Sequence, residues 1–314
     1  MFDSLIGNFL TIFQRNLFLI PFRIAYVAAP IWLPIVLIVV SFQMWMRYAR
    51  LKYLSKQQAV LLEIRLPPEV TKSPLAMEIF FTALYQTGTP QNLIDAFIRG
   101  VVPPWFSLEL ISIEGEIHFL IWTREKYKNL IEAQLYAQYP DCEIFEVSDY
   151  TLGVHQQTPG LNMWGTYFTL QKPDPYPIKT YVDYGLDRET KEEFKIDPMS
   201  SVLEYLGSIG KGQQAWIQIL IQAHYSRGIK YGNIFRTKNW KDEAKAEIER
   251  IKAEATTRGS GDFPGFPNLT KGQADTIAAL ERSISKFGFD CAIRGFYIWE
   301  EEHFNSVAIP ALIG

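Results

Sequence analysis

The longest uninterrupted apolar stretch sets the layout of the chain. Between Arg23 and Arg47 no charged side chain breaks the run IAYVAAPIWLPIVLIVVSFQMWM, which as a helix is long enough to cross a hydrocarbon core of about 30 Å. Its eleven Leu, Ile, Val and Phe residues each favour insertion by roughly 0.3–0.6 kcal/mol at the helix centre. Pro30 and Pro34 are positioned to kink the first half, and Tyr26, Trp32 and Trp45 lie towards the ends, where aromatic rings favour the interface. We therefore expect one transmembrane helix over 23–47. Ahead of it, Phe2, Leu5, Ile6, Phe9, Leu10 and Phe13 recur at helical spacing with Ser4, Asn8, Thr11 and Arg15 opposite, the pattern of an amphipathic helix over 1–22 lying in the membrane surface.

The flanks give a direction. Arg47, Arg50, Lys52 and Lys56 follow the span, against Arg15 and Arg23 before it. This bias predicts a single-pass protein of the cytoplasmic membrane with its C-terminal bulk in the cytoplasm.

From Leu61 onward short strands alternate with helices. LLEIRLP has the apolar content of a buried strand, and Ala76, Ile79, Phe80, Ala83 and Leu84 form one face of a helix begun at Ser73-Pro74. FSLELISI and EIHFLIW both alternate and are joined by Glu114-Gly115 in the place of a tight hairpin turn. A helix from about Glu125 turns Tyr127, Leu130, Ile131 and Leu135 inward, stops before Pro140 and yields to the strand CEIFEV. The order strand, helix, strand, strand, helix, strand predicts a ferredoxin-like domain over 48–157.

A second α+β domain of the same type, with helical insertions, is expected over 158–314, beginning in a segment rich in proline and glycine that still holds the strand GTYFTLQ. Val202, Leu203, Leu206 and Ile209 mark a helix, and QAWIQILIQA a strand with Ile217, Ile219 and Ile221 on one face and Gln218 and Gln222 on the other. KDEAKAEIERIKAEA carries a narrow apolar stripe of Ala244, Ile248, Ile251 and Ala255, which reads as a projecting arm. Thr270 and Gln273 have the spacing of a capping box. FDCAIRGFYIW, apolar on both faces, reads as a strand inside a sheet.

Composition changes little in this picture. The 314 residues are 48% hydrophobic and 21% charged, with a formal net charge of −3, which offers no general attraction to nucleic acid or anionic lipid. The two cysteines, Cys142 and Cys291, have no Cys or His at metal-ligand spacing, and both read as buried thiols.

Candidate chemistry is sparse. GSIGKGQQ contains Gly-Lys, yet a phosphate loop needs a preceding strand, a glycine where Tyr205 stands and Ser or Thr where Gly212 stands. It reads as a turn between helix and strand. The four histidines lack ligand spacing, and no Ser or Cys sits in a nucleophile elbow. We expect no cofactor, no metal and no catalytic residue. Arg294, Phe296 and Tyr297 form an alternative nucleic-acid surface, because Arg-Gly-Phe opens an RNA-recognition strand, but Tyr297 already departs from that motif. Gln218, Gln222 and Arg294 are the polar groups that an unfamiliar enzyme site would bring together.

Several separated segments carry a resemblance: LLEIRLPPEVTKSPLAMEIFFTALYQ, YAQYPDCEIFEVSDY, IDPMSSVLEYLGSIGKGQQAWIQILI and LTKGQADTIAALERSISKFGFDCAIRGFYI. Together they resemble the membrane-proximal N-terminal region of HerA/FtsK-type ATPases, the conjugation and type IV secretion-like motors of bacteria, candidate-phylum bacteria included. In such proteins the region precedes a motor domain with a nucleotide loop, which does not occur before Gly314. The resemblance implies an accessory, non-catalytic platform whose partners are the lipid bilayer and a translocation ATPase, in a separate chain or in a continuation of this one. Self-association is compatible with that role, and direct nucleic-acid binding is not expected.

Overall fold

The computed structural model describes residues 26–67, 73–87, 92–154, 158–186, 198–225, 239–257 and 269–313. The amphipathic segment expected over 1–22 lies outside them. Helix α1, Ala29–Leu54, has a mean hydropathy of 1.8 over its apolar window and is exposed along most of that length. It is long and apolar enough to cross a membrane. Pro30 sits in its first turn, where a missing N–H costs nothing. The helix runs past Arg47 to Leu54, because Arg47, Arg50 and Lys52 are good helix formers and nothing from Met46 to Leu54 breaks the ladder.

Four residues separate Leu54 from strand β1, Ala59–Arg65. Helix α2, Leu75–Tyr85, and the one-turn helix α3, Leu93–Phe97, lead to the hairpin β2, Trp105–Ile113, and β3, Glu116–Arg124. The hairpin turn places Glu114 at φ 53° and Gly115 at φ 90°, the left-handed pair whose twist matches that of the strands. Helix α4, Lys128–Gln138, and strand β4, Glu143–Val147, complete the first half. The second half contains β5, Leu161–Phe168, α5, Ser200–Gly207, and β6, Gln213–Ala223. It continues with α6, Trp240–Thr257, α7, Lys271–Ser285, β7, Phe289–Glu300, and α8, Ala308–Ile313.

All seven strands form one antiparallel sheet in the order β4-β1-β3-β2-β6-β7-β5. The two blocks read from the sequence therefore share a sheet, joined where β2 pairs with β6 from Trp105↔Gln222 to Ile113↔Gln214. The joint is a pseudo-twofold. Outward from it, β2-β3-β1 on one side is matched by β6-β7-β5 on the other, with reversed strand direction. The β1–β2 crossover helix α2 corresponds to α5 between β5 and β6, and α4 after β3 corresponds to α8 after β7. The strand beside β1, β4, has no counterpart beside β5 among the described residues.

Alternation along the strands gives the sheet two buried faces. On one, Leu62, Phe106 and Ile121 pack under Phe80 and Leu84 of α2 and Ile131 and Leu135 of α4. Leu206, Ala215, Tyr297 and Leu312 continue that layer under α5 and α8. The other face holds Leu61, Ile111, Leu120, Trp216 and Ile298, with Val147, Tyr150, Val154 and Leu161 packed against them. Tyr150 and Val154 belong to the segment that follows β4, and Leu161 opens β5.

Elsewhere the apolar stripe Ala244, Ile248, Ile251 and Ala255 of α6 is buried, and its first three members form a core with Ile277 and Leu280 of α7. The capping box of Thr270 and Gln273 is formed. Cys142 is buried, but Cys291 is exposed, contrary to the sequence reading. The cause is strand length: β5 ends opposite Ile293, so residues 289–292 lie at an edge.

If the two halves share one cooperative sheet, damage in either weakens both. Ile111→Ala, which empties a site 1% exposed at the joint, is expected to cost about 2–5 kcal/mol. Hydrogen exchange on the detergent-solubilised chain should show protection lost equally in β1 and β7. Loss confined to the first half would refute a shared unit.

Candidate functional site

The polar residues of the sheet are not scattered. One cross-strand row runs Phe145, Glu63, Leu120, Glu109, Gln218, Arg294 and Tyr167, each paired with the next on the neighbouring strand. The pseudo-twofold passes through its centre, between Glu109 and Gln218. These residues share the face on which Tyr150 packs, and three of the polar ones are buried: Glu63 at 8%, Glu109 at 7% and Gln218 at 3% exposure.

Burial of polar groups is tolerable only when they are bonded, and a chain of hydrogen bonds supplies this. The Tyr150 hydroxyl donates to Glu109 Oε2 at 2.6 Å and accepts from Gln218 Nε2 at 2.7 Å. Gln218 Oε1 accepts from Arg294 Nε at 2.6 Å. At the other end of the row His118 Nδ1 lies 2.7 Å from Glu63 Oε1, and Arg65 approaches Glu63 Oε2 at 3.4 Å. Tyr150 comes from a short 3-10 turn, Tyr150–Gly153, fixed by Asp149, whose carboxylate accepts from the Thr151 N–H at 2.9 Å. Its ring stands edge-on to Trp216 at 4.8 Å. Burial, reinforced by the Glu109 carboxylate, pushes the Tyr150 hydroxyl well above the ordinary tyrosine range, with Gln218 opposing.

The sequence-predicted residues divide between the two faces. Arg294 and Phe296 lie on the face of the row, Phe296 packed on Trp216 at 6.0 Å. Tyr297 is 0% exposed on the opposite face, where its hydroxyl donates to Gln213 Oε1 at 2.7 Å. Successive strand residues point to opposite faces, so Phe296 and Tyr297 cannot offer one stacking surface. Gln218 and Arg294 are bonded to each other, whereas Gln222 donates to the Pro103 carbonyl at 3.0 Å. Arg47 and Lys52 are exposed on the last turns of α1, with Arg50 half-buried beside them and Lys56 exposed just beyond. Glu63, Glu109 and Tyr150 were missed. A lone glutamate inside each of the apolar strands LLEIR and SLELISI was the available signal. Among the described residues no three His, Cys, Asp or Glu side chains gather to hold a metal.

Residues 51–306 match a family model described as Domain of unknown function (DUF8128). The chain belongs to this family. The DUF8128 region takes in the whole sheet and begins as α1 ends. No curated protein and no solved structure matches the chain.

The row makes a pH prediction. In the unfolded chain Tyr150 ionises near 10, and in the folded chain it holds its proton to higher pH. Above about pH 10 the unfolded state therefore binds fewer protons, so stability falls as pH rises. Tyr150→Phe is expected to cost about 1–3 kcal/mol at neutral pH, by leaving Glu109 and Gln218 short of a partner, and to flatten the alkaline slope. Thermal unfolding of both proteins between neutral pH and pH 11 checks both outcomes, and an unchanged slope would count against the network.

Proposed function

We propose that this DUF8128 chain is a membrane-anchored, non-catalytic assembly or positioning module that serves a translocation ATPase. In this reading α1 is a single span of the cytoplasmic membrane, and the sheet is two ferredoxin-like halves, the second without a fourth strand among the described residues, held in the cytoplasm. The span is supported by the apolar helix and the orientation by Arg47, Arg50, Lys52 and Lys56 at its C-terminal end. The ATPase partner is supported by the resemblance of the sequence motifs to the membrane-proximal region of HerA/FtsK-type motors.

The observation that carries the reading is the way the sheet is mounted on the helix. Trp45 donates its indole N–H to the Phe97 carbonyl at 2.9 Å, and the Phe42 and Phe97 rings lie 5.7 Å apart. Gly100, at φ +67°, passes so close to α1 that a Cβ there would sit 2.3 Å from the Ala49 carbonyl carbon. Met46 and Ala49 are buried in this contact. A short link and a packed joint hold a broad sheet at one angle to its anchor, which suits a part whose task is placement. The polar row fits that role, since Glu63, Glu109, Gln218 and Arg294 are all hydrogen-bonded to other side chains of the chain.

Co-purification tests the proposal. The full chain, extracted with mild detergent from its native membrane, should bring down a ring-forming ATPase, and Gly100→Val should reduce recovery severalfold by prising the sheet from α1. A strictly monomeric preparation that recovers no ATPase would sink the assignment.

A further inference from the structure

Helix α3 is a single turn, yet it is firmly built. Asn92 caps it by accepting from the Asp95 N–H at 2.9 Å, Arg99 pairs with Asp95 at 2.9 Å, and Gly100 turns the chain away. Its polar pair occupies one side. The other side carries Leu93, Ile94 and Ile98, which are 51%, 55% and 62% exposed. Three large aliphatic side chains in one short turn are costly to leave in water, at about 25 cal/mol per Å² of apolar surface.

Their height along α1 suggests what covers them. Phe97, between Ile94 and Ile98, packs on Phe42 and accepts from Trp45. Phe42 lies five residues before Arg47, the first charge after the apolar run, so the contact lies about 7.5 Å to the apolar side of that charge. Interfacial helices sit about 5–10 Å into the boundary between headgroups and acyl chains, the same depth. Near this level Arg47 and Arg99 are exposed, placed for lipid phosphates.

We infer that α3 is a second membrane contact, in which Leu93, Ile94 and Ile98 sink into the interfacial layer of the leaflet from which α1 emerges. The inference rests on the reading of α1 as a membrane span and adds to it a fixed tilt. A helix alone lets the sheet swivel about the membrane normal and lean; a second, off-axis insertion removes the leaning.

Depth-dependent quenching tests this. Ile94→Cys, Ile98→Cys, Leu37→Cys and Glu254→Cys are made in the full chain with Cys291→Ser, since Cys291 is exposed and Cys142 buried. Each is labelled with an environment-sensitive fluorophore and reconstituted into phosphatidylcholine and phosphatidylglycerol vesicles containing nitroxide lipids. Positions 94 and 98 are expected to lose about half their emission to a nitroxide near the headgroup and less to one at the chain end, with the reverse at position 37 and little change at 254. Quenching at 37 without quenching at 94 and 98 overturns the inference and leaves the anchor standing; if 94 and 98 are also blue-shifted, a protein surface covers them instead. No quenching at 37 removes the anchor and the inference with it.

Discussion

Everything else in this structure depends on the pairing of β2 with β6. Without it each half presents a long, largely apolar strand at an open edge, an arrangement that invites aggregation. Pairing satisfies both edges at once and extends the layer of helices and the opposite face across a common sheet. It also turns two small cores into one larger body, in which a greater fraction of apolar surface escapes water.

That joint was the part least visible in the sequence. Local elements were legible because their causes are local: the Glu114-Gly115 hairpin, the Thr270 and Gln273 box, the stripe of α6 and the alternation of Gln218 with Ile217 and Ile219 all depend on neighbours within a few residues. The partner of an edge strand is not so encoded. An alternating strand such as FSLELISI states that it has two faces and says nothing about which strand lies beside it. The same limit separated Arg294, which was noticed, from Glu109 and Tyr150, which were not: the hydrogen bonds that link Glu109, Tyr150, Gln218 and Arg294 span 41 to 76 residues. The exposed Cys291 was misjudged for a related reason, since its burial turned on where another strand stopped.

The face without helices shows how such a sheet is finished. A two-sided sheet normally needs a layer on each side, and on this face Tyr150 and Val154, from the irregular segment after β4, pack on the sheet together with Leu161 at the start of β5. The covering also dehydrates the polar row, so the hydrogen bonds of Tyr150 work in a low-dielectric setting, where a bond is stronger and a missing partner more costly.

The pseudo-twofold through Glu109 and Gln218 has a further consequence. In a dimer of identical chains, residues on the axis must be the same, and two buried glutamates there would repel while two glutamines would leave Tyr150 without a carboxylate to bond. A single chain escapes that rule. It sets an acid against an amide at the centre, places Leu120 on one side where Arg294 stands on the other, and bonds Tyr150 to both central residues. Joining the halves covalently thus frees the buried pair at the centre of the sheet to differ, giving the body a left and a right that symmetry would have forbidden.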